Sequence, residues 1–131
     1  MKRKLSEIVE NSGKQSSRDD VVKLLDTILG LAVSMMNADR GVVILKVDEK
    51  LELMASKNFP ADKPPSLKEL SISVVEKVVT TGAPLLTHDA LADPRFGQSA
   101  SVILHQITSI ICVPLWVDEQ VIGVIYLDSR K

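Results

Sequence analysis

Only a few residues in this sequence have the type and spacing for chemistry. Cys112 is the one cysteine. A reactive thiolate needs nearby positive charge and solvent access. Cys112 instead sits in the apolar run Ser109-Ile110-Ile111-Cys112-Val113-Pro114-Leu115, where a cysteine behaves as a small hydrophobe. His88 and His105 are the two histidines, and with a single Cys they offer no zinc spacing. A lone imidazole can still serve as an axial haem ligand. The plain readings are a loop residue for His88 and a helix-surface residue for His105. Gly13, Gly30, Gly41, Gly82, Gly97 and Gly123 are too scattered to form a phosphate cradle. No base stands paired with a nucleophile, so no catalytic and no metal-binding residue is assigned.

The richest stretch is His88-Asp89-Ala90-Leu91-Ala92-Asp93-Pro94-Arg95-Phe96-Gly97-Gln98. Arg95 could hold an anion and Phe96 could stack on a planar group. The same residues are explained without a ligand. Asp93-Pro94 is turn chemistry, Arg95 can pair with Asp89 or Asp93, and Phe96 can plug the core. The turn reading is the more economical, and both stay open here.

The elements that would position these residues follow from composition and pattern. The chain has 131 residues, 45% of them hydrophobic, which suits one domain with a real core. The 16 basic and 17 acidic residues nearly cancel, which argues against a nucleic-acid surface. The one basic cluster, Lys2-Arg3-Lys4, reads as a solvated tail. No run approaches the roughly 18 apolar residues of a membrane span, and the charged start does not read as a signal peptide. With one cysteine and no leader, a cytoplasmic protein is expected.

Residues 1–16 form a polar segment, and a single domain is expected over 17–131. Ser17 or Asp19 can cap a helix from about Val21 to Asn37, apolar on more than one side. One side can lie on a sheet; the other calls for a second helix, which points to a homodimer through this helix. Val42–Val47 reads as a central strand and Leu51–Ser56 as its hairpin partner. Val74, Val75, Val78 and Val79 favour strand by type but have helical spacing. A Ser73/Glu76 capping box and Gly82 at the left-handed end select a helix. Pro84–Thr87 is a short edge strand. A short helix is expected from Ser99 or Ala100 to Gln106, and Thr108–Val117 and Val121–Asp128 form a closing hairpin. Two hairpins without βαβ alternation imply an α+β sandwich: an antiparallel sheet of five or six strands with helices on both faces.

Three stretches together resemble the GAF family, from about residue 20 to the end. They are Asn37-Ala38-Asp39-Arg40-Gly41-Val42-Val43-Ile44-Leu45, then Val74 to Leu86 with Asp89-Ala90 and Asp93-Pro94-Arg95-Phe96, then Ser109 to Leu115 with Val121 to Asp128. A PAS-type sandwich shares the sheet but matches the last hairpin less well. The resemblance implies terminal helices on one face and a small-molecule pocket on the other. His88, Asp89, Arg95 and Phe96 would sit on the loop that closes over the ligand, with Met54, Ile103 and Ile111 as further candidate lining. It names no cofactor. Covalent bilin would need Cys followed by His in a loop, and Cys112 precedes Val113. Methionine sulfoxide reduction would need several cysteines. Cyclic-nucleotide recognition would need an acidic pair after Phe96, where Gly97-Gln98-Ser99 stands. The sequence looks most like input domains of bacterial enhancer-binding transcription activators and related kinases and cyclases. That implies a sensor of a small effector with an output domain on a longer chain, the C-terminal helix lying beyond Lys131. No enzyme activity, direct nucleic-acid contact or membrane contact is expected. The alternative is a ligand-free dimerisation module.

Overall fold

The computed structural model describes residues 15–59, 65, 70, 72–88 and 107–130, with the side chains of its first helix from residue 19. Helix α1 is Gln15–Met35, followed by strands β1 (Arg40–Val47) and β2 (Lys50–Lys57). Helix α2 (Ile72–Thr81) precedes β3 (Leu85–Thr87), β4 (Ser109–Val117) and β5 (Gln120–Ser129). All neighbouring strands are antiparallel, in the order β2-β1-β5-β4-β3. The expected α+β architecture is therefore present, with β1 in the interior and β3 at one edge of the described sheet.

Alternation along the strands divides the core in two. One face carries Val42, Ile44, Ile110, Cys112, Val124 and Tyr126 against Val74, Val75 and Val78 of α2, with Leu70 and Ile107. The other carries Val43, Leu45, Ile122 and Leu127 against Leu29 and Val33 of α1. Burial explains why α2 is a helix despite its valines. A β-branched residue costs up to about 0.7 kcal/mol in a helix relative to Ala, whereas burying a valine gains about 1.5–3 kcal/mol. Three of them here are 0–1% exposed.

Both helix ends are closed by left-handed residues. Asn37 has φ 53°, and N–H groups of Asn37 and Ala38 donate to Ser34 and Val33 carbonyls at 3.2 and 3.0 Å, a Schellman closure. Gly82 has φ 71° and its N–H donates to the Val78 carbonyl at 2.8 Å. The N-terminal boundaries differ from expectation. α1 starts at Gln15, so Ser17 and Asp19 lie inside it; polar residues are only weakly unfavourable in a helix, and the apolar residues from Val21 carry it. α2 starts at Ile72, which puts Ser73 within the first turn rather than at the cap. The expected helix near 99–106 and the loop 89–98 lie outside the described residues.

The two hairpins close with Asp48-Glu49 and Asp118-Glu119, both residues of each pair at positive φ (50° and 67° in each turn). That is the geometry of a type I′ turn, which normally takes Asn-Gly or Asp-Gly. Glu in this region carries strain of about 1–2 kcal/mol. Near the middle of the sheet the constraint is opposite: a Cβ on Gly123 would collide with the Ile44 carbonyl oxygen. Thermal or urea unfolding should therefore show contrary signs at two nearby positions. Glu119→Gly should gain about 0.5–1 kcal/mol, strain relief exceeding glycine's extra chain entropy. Gly123→Ala should lose about 2–3 kcal/mol by overpacking.

Candidate functional site

β1 and β5 pair so that Arg40 stands directly opposite Asp128. Both are buried, at 7% and 1% exposure. Arg40 Nε donates to Asp128 Oδ1 at 2.6 Å and Nη2 donates to Oδ2 at 3.0 Å, a bidentate pair. Tyr126, two residues back on the same strand face, donates its hydroxyl to Oδ2 at 2.6 Å. The Arg40 guanidinium lies 5.0 Å from the Phe59 ring centroid, within cation–π range.

A second layer of hydrogen bonds ties this cluster to the chain segments around it. Asp39 N–H donates to the Asp128 carbonyl at 3.1 Å and to Ser129 Oγ at 3.2 Å. Arg130 N–H donates to Asp39 Oδ2 at 2.7 Å, and Asn58 Nδ2 donates to the Asp39 carbonyl at 3.0 Å. Thr108 donates to the Ser129 carbonyl from its N–H at 2.7 Å and its hydroxyl at 3.0 Å. The exit of α1, the end of β2, the start of β4 and the end of β5 thus meet in one polar knot. It occupies the sheet end from which both long connections, after Phe59 and after Thr87, depart.

The structure distributes the sequence-predicted site residues unevenly. His88 follows β3 at this same end and is exposed. Asp89, Arg95, Phe96 and Ile103 lie outside the described residues. Met54 and Ile111 are on the α1 face, not on the α2 face where a ligand pocket was expected. Ile111 alternates with Ile110 and Cys112, and Met54 is the extra residue of a β-bulge that turns it, with Ala55, towards α1. Cys112 is buried on the α2 face, and burial pushes its thiol from 9.0 up to about 12. Among the described residues no three His, Cys, Asp or Glu side chains group as a metal site. The Arg40–Asp128–Tyr126 cluster was missed. Its signal was charged residues closing otherwise apolar strands, but their 88-residue separation hid the pairing.

Comparison with known proteins places this geometry in context. A family model described as GAF domain matches residues 20–131. The dual 3',5'-cyclic-AMP and -GMP phosphodiesterase 11A of Takifugu rubripes is 28% identical over 98% of this chain, and the chain spans 16% of that relative's length. Among solved structures, a type II free methionine-R-sulfoxide reductase from Thermoplasma acidophilum superposes with TM-score 0.67 at 17% identity, covering 87% of this chain and 77% of that one. The GAF domain from an Acinetobacter phosphoenolpyruvate-protein phosphotransferase gives TM-score 0.63 at 20% identity, over 84% and 67% of the two chains. At these identities the structures share the fold.

Removing one partner of a buried pair leaves the other charge uncompensated. Asp128→Ala should lower unfolding free energy by about 3–5 kcal/mol, and Tyr126→Phe by about 1.5–3 kcal/mol, as read by urea denaturation. Cys112 should resist iodoacetamide at pH 8 until the domain unfolds. Its raised pKa also sets a sign: the native state prefers the neutral thiol, so its contribution to stability is full below pH 9.0 and falls as pH rises towards about 12. Replacing Cys112 by Ala should flatten that alkaline decline.

Proposed function

The chain belongs to the GAF domain family, and on that premise we propose that it is a sensor that binds a small effector and passes the event to an attached output domain. GAF domains are sensor and signal-input domains of kinases and phosphodiesterases. The observation that carries the reading is the family match over residues 20–131. The effector seat is on the α2 face, at the Arg40–Asp128 end of the sheet, with His88, Asp89, Arg95, Phe96 and Ile103 as its candidate contacts. Met54 and Ile111 are left out because they face α1. Ligand contacts on the connections after Phe59 or before Thr108 would pull on Asn58 and Thr108. Through Asp39 and Ser129 they would reach both the exit of α1 and the end of β5. Control of transcription is one output that such a module serves, and a cytoplasmic setting fits its lack of a long apolar helix among the described residues. The domain is regulatory rather than catalytic in this reading, and its one thiol, buried on the α2 face, is not offered as a nucleophile.

One further observation favours self-association. Leu24, Ile28, Leu31 and Met35 are 60%, 40%, 59% and 81% exposed on α1, at the 4-3-4 spacing of a helix–helix seam. A second copy of α1 is the proposed cover.

Two measurements test these readings. A metabolite screen by thermal shift should find a compound that stabilises the domain by about 2.7 kcal/mol at a hundred times its Kd; a complete screen without any stabiliser would refute the effector reading. Sedimentation should show a dimer that Leu24→Lys with Leu31→Lys converts to monomer. A wild-type monomer at high concentration would refute the seam.

A further inference from the structure

The sheet is wider than the helix that covers its α1 side. α1 packs mainly on β2 and β1. A helix about 10 Å across covers about two strands spaced about 4.8 Å apart, so β5, β4 and β3 keep an open strip among the described residues. Ile111, Val113 and Ile125 are half-buried there, and Leu86, paired with Ile111, is 52% exposed. α1 adds a wall to this strip. Buried Leu29 and Val33 mark its side towards the sheet. Gly30 and Asp26 mark its β2 flank, since Lys57 lies against Gly30 and pairs with Asp26. At about 100° per residue, Ile28 and Met35 fall on the opposite flank, above β5, and Leu24 and Leu31 point away from the sheet of their own chain.

Resting on the self-association reading, we propose that this strip seats α1 of a second copy, so that the two α1 helices lie side by side between two sheets. Helices in contact are about 8–10 Å apart, and two strand spacings come to about 9.6 Å. A helix beside α1 therefore sits above β4, between Ile125 and Leu86. A two-fold axis parallel to α1 makes the arrangement reciprocal, each helix covering the open strip of the other copy. It also accounts for the breadth of the apolar surface on α1. A single neighbouring helix would cover Ile28 and Met35 but leave Leu24 and Leu31 in water; the second copy's sheet covers those two. The register follows from the fold. Leu29 and Val33 lie against Gly41, which stands opposite Leu127, and Leu127 stands opposite Ile111. Rotation about an axis along the helix keeps height, so Leu31 of one copy meets Ile111 of the other. Leu24, about 10 Å further along, falls between the second copy's Val113 and Leu115. Taking a large apolar residue as on the order of 180 Å² when fully open, the exposed parts of these side chains amount to roughly 700 Å², close to the about 800 Å² per partner of a stable interface.

Leu86 lies outside α1, so a seam made by the helices alone would not feel it. In sedimentation of the full chain, Leu86→Lys should raise the dimer dissociation constant at least tenfold, while urea unfolding of the dilute protein matches the wild type. A mixture of Leu31→Cys and Ile111→Cys proteins, treated with a short bismaleimide, should yield a peptide joining the two new cysteines, which mass spectrometry identifies and which can form only between copies. The native Cys112 is buried on the other face and stays out of the reaction. A stable dimer that Leu86→Lys leaves unchanged and that yields no such peptide would overturn the sandwich while leaving the α1 seam standing. A wild-type monomer would remove both. Residues 1–14 are the competing occupant, through the apolar Leu5, Ile8 and Val9: an Ile8→Lys protein with a destabilised monomer, together with no joined peptide, would assign the strip to them and overturn the proposal.

Discussion

The pairing of β1 with β5 is the constraint on which the rest of the structure rests. Each strand brings a neighbour: β1 carries β2, and β5 carries β4 and through it β3. Without the central pair the sheet falls into a two-stranded hairpin, which is marginal in water, and a three-stranded ribbon whose edge strand β3 has only 3 residues. Closing a chain of 88 residues costs about 4 kcal/mol beyond the constant term. Val42, Val43, Ile44 and Leu45 offset that cost, since each is almost fully buried on one face or the other of the closed sheet. Arg40 and Asp128 add little net energy to this, because desolvating two charges consumes most of their attraction. They fix register instead. A slip of one residue would set Arg40 against Leu127 and leave Asp128 buried without its cation.

The two ends of the sheet are built differently. At the Arg40 end, backbone and side-chain hydrogen bonds join four chain segments in a knot that includes Asp39, Asn58, Thr108 and Ser129. At the other end, two turns of the same conformation keep glutamates at positive φ, beside an exposed tryptophan. Backbone strain sits at that end, whereas at the Arg40 end the buried charges are paired and hydrogen-bonded. Gly82 ends α2 in the left-handed conformation and leaves room for the Trp116 ring.

Much of this was readable from residue patterns. The two hairpins, the helix over Val74–Val79 and its Gly82 terminator follow from spacing and local chemistry, which need no knowledge of distant contacts. Helix starts were less legible, because Ser17 and Asp19 are acceptable both as caps and as residues inside a helix. The facing of Met54 and Ile111 was hidden for a different reason. Strands as apolar as Ser109–Val117 give no alternation from which to read a side, and a bulge at Met54 shifts the count. The Arg40–Asp128 pair was invisible because cross-strand partners depend on register, which emerges only when the sheet forms.

The two faces differ in how firmly they are packed. Behind α2, the side chains of Val42, Ile44, Ile110, Val124 and Tyr126 are all fully buried. On the α1 side, the helix packs mainly on β2 and β1, and Ile111, Val113, Leu115 and Ile125 remain half-buried. A close-packed face resists displacement, since shifting it opens voids and forfeits dispersion contacts. A half-covered face loses fewer contacts when its helix moves. The ion pair between Lys57 and Asp26, 2.9 Å long and partly exposed, adds little hold on α1. Its firm attachment is at the carboxyl end, through the Schellman closure and the bonds of Asp39. The Asn37–Arg40 segment is thus the point at which α1 is tied to the end of β5, through the buried Asp128 and the Asp39 N–H.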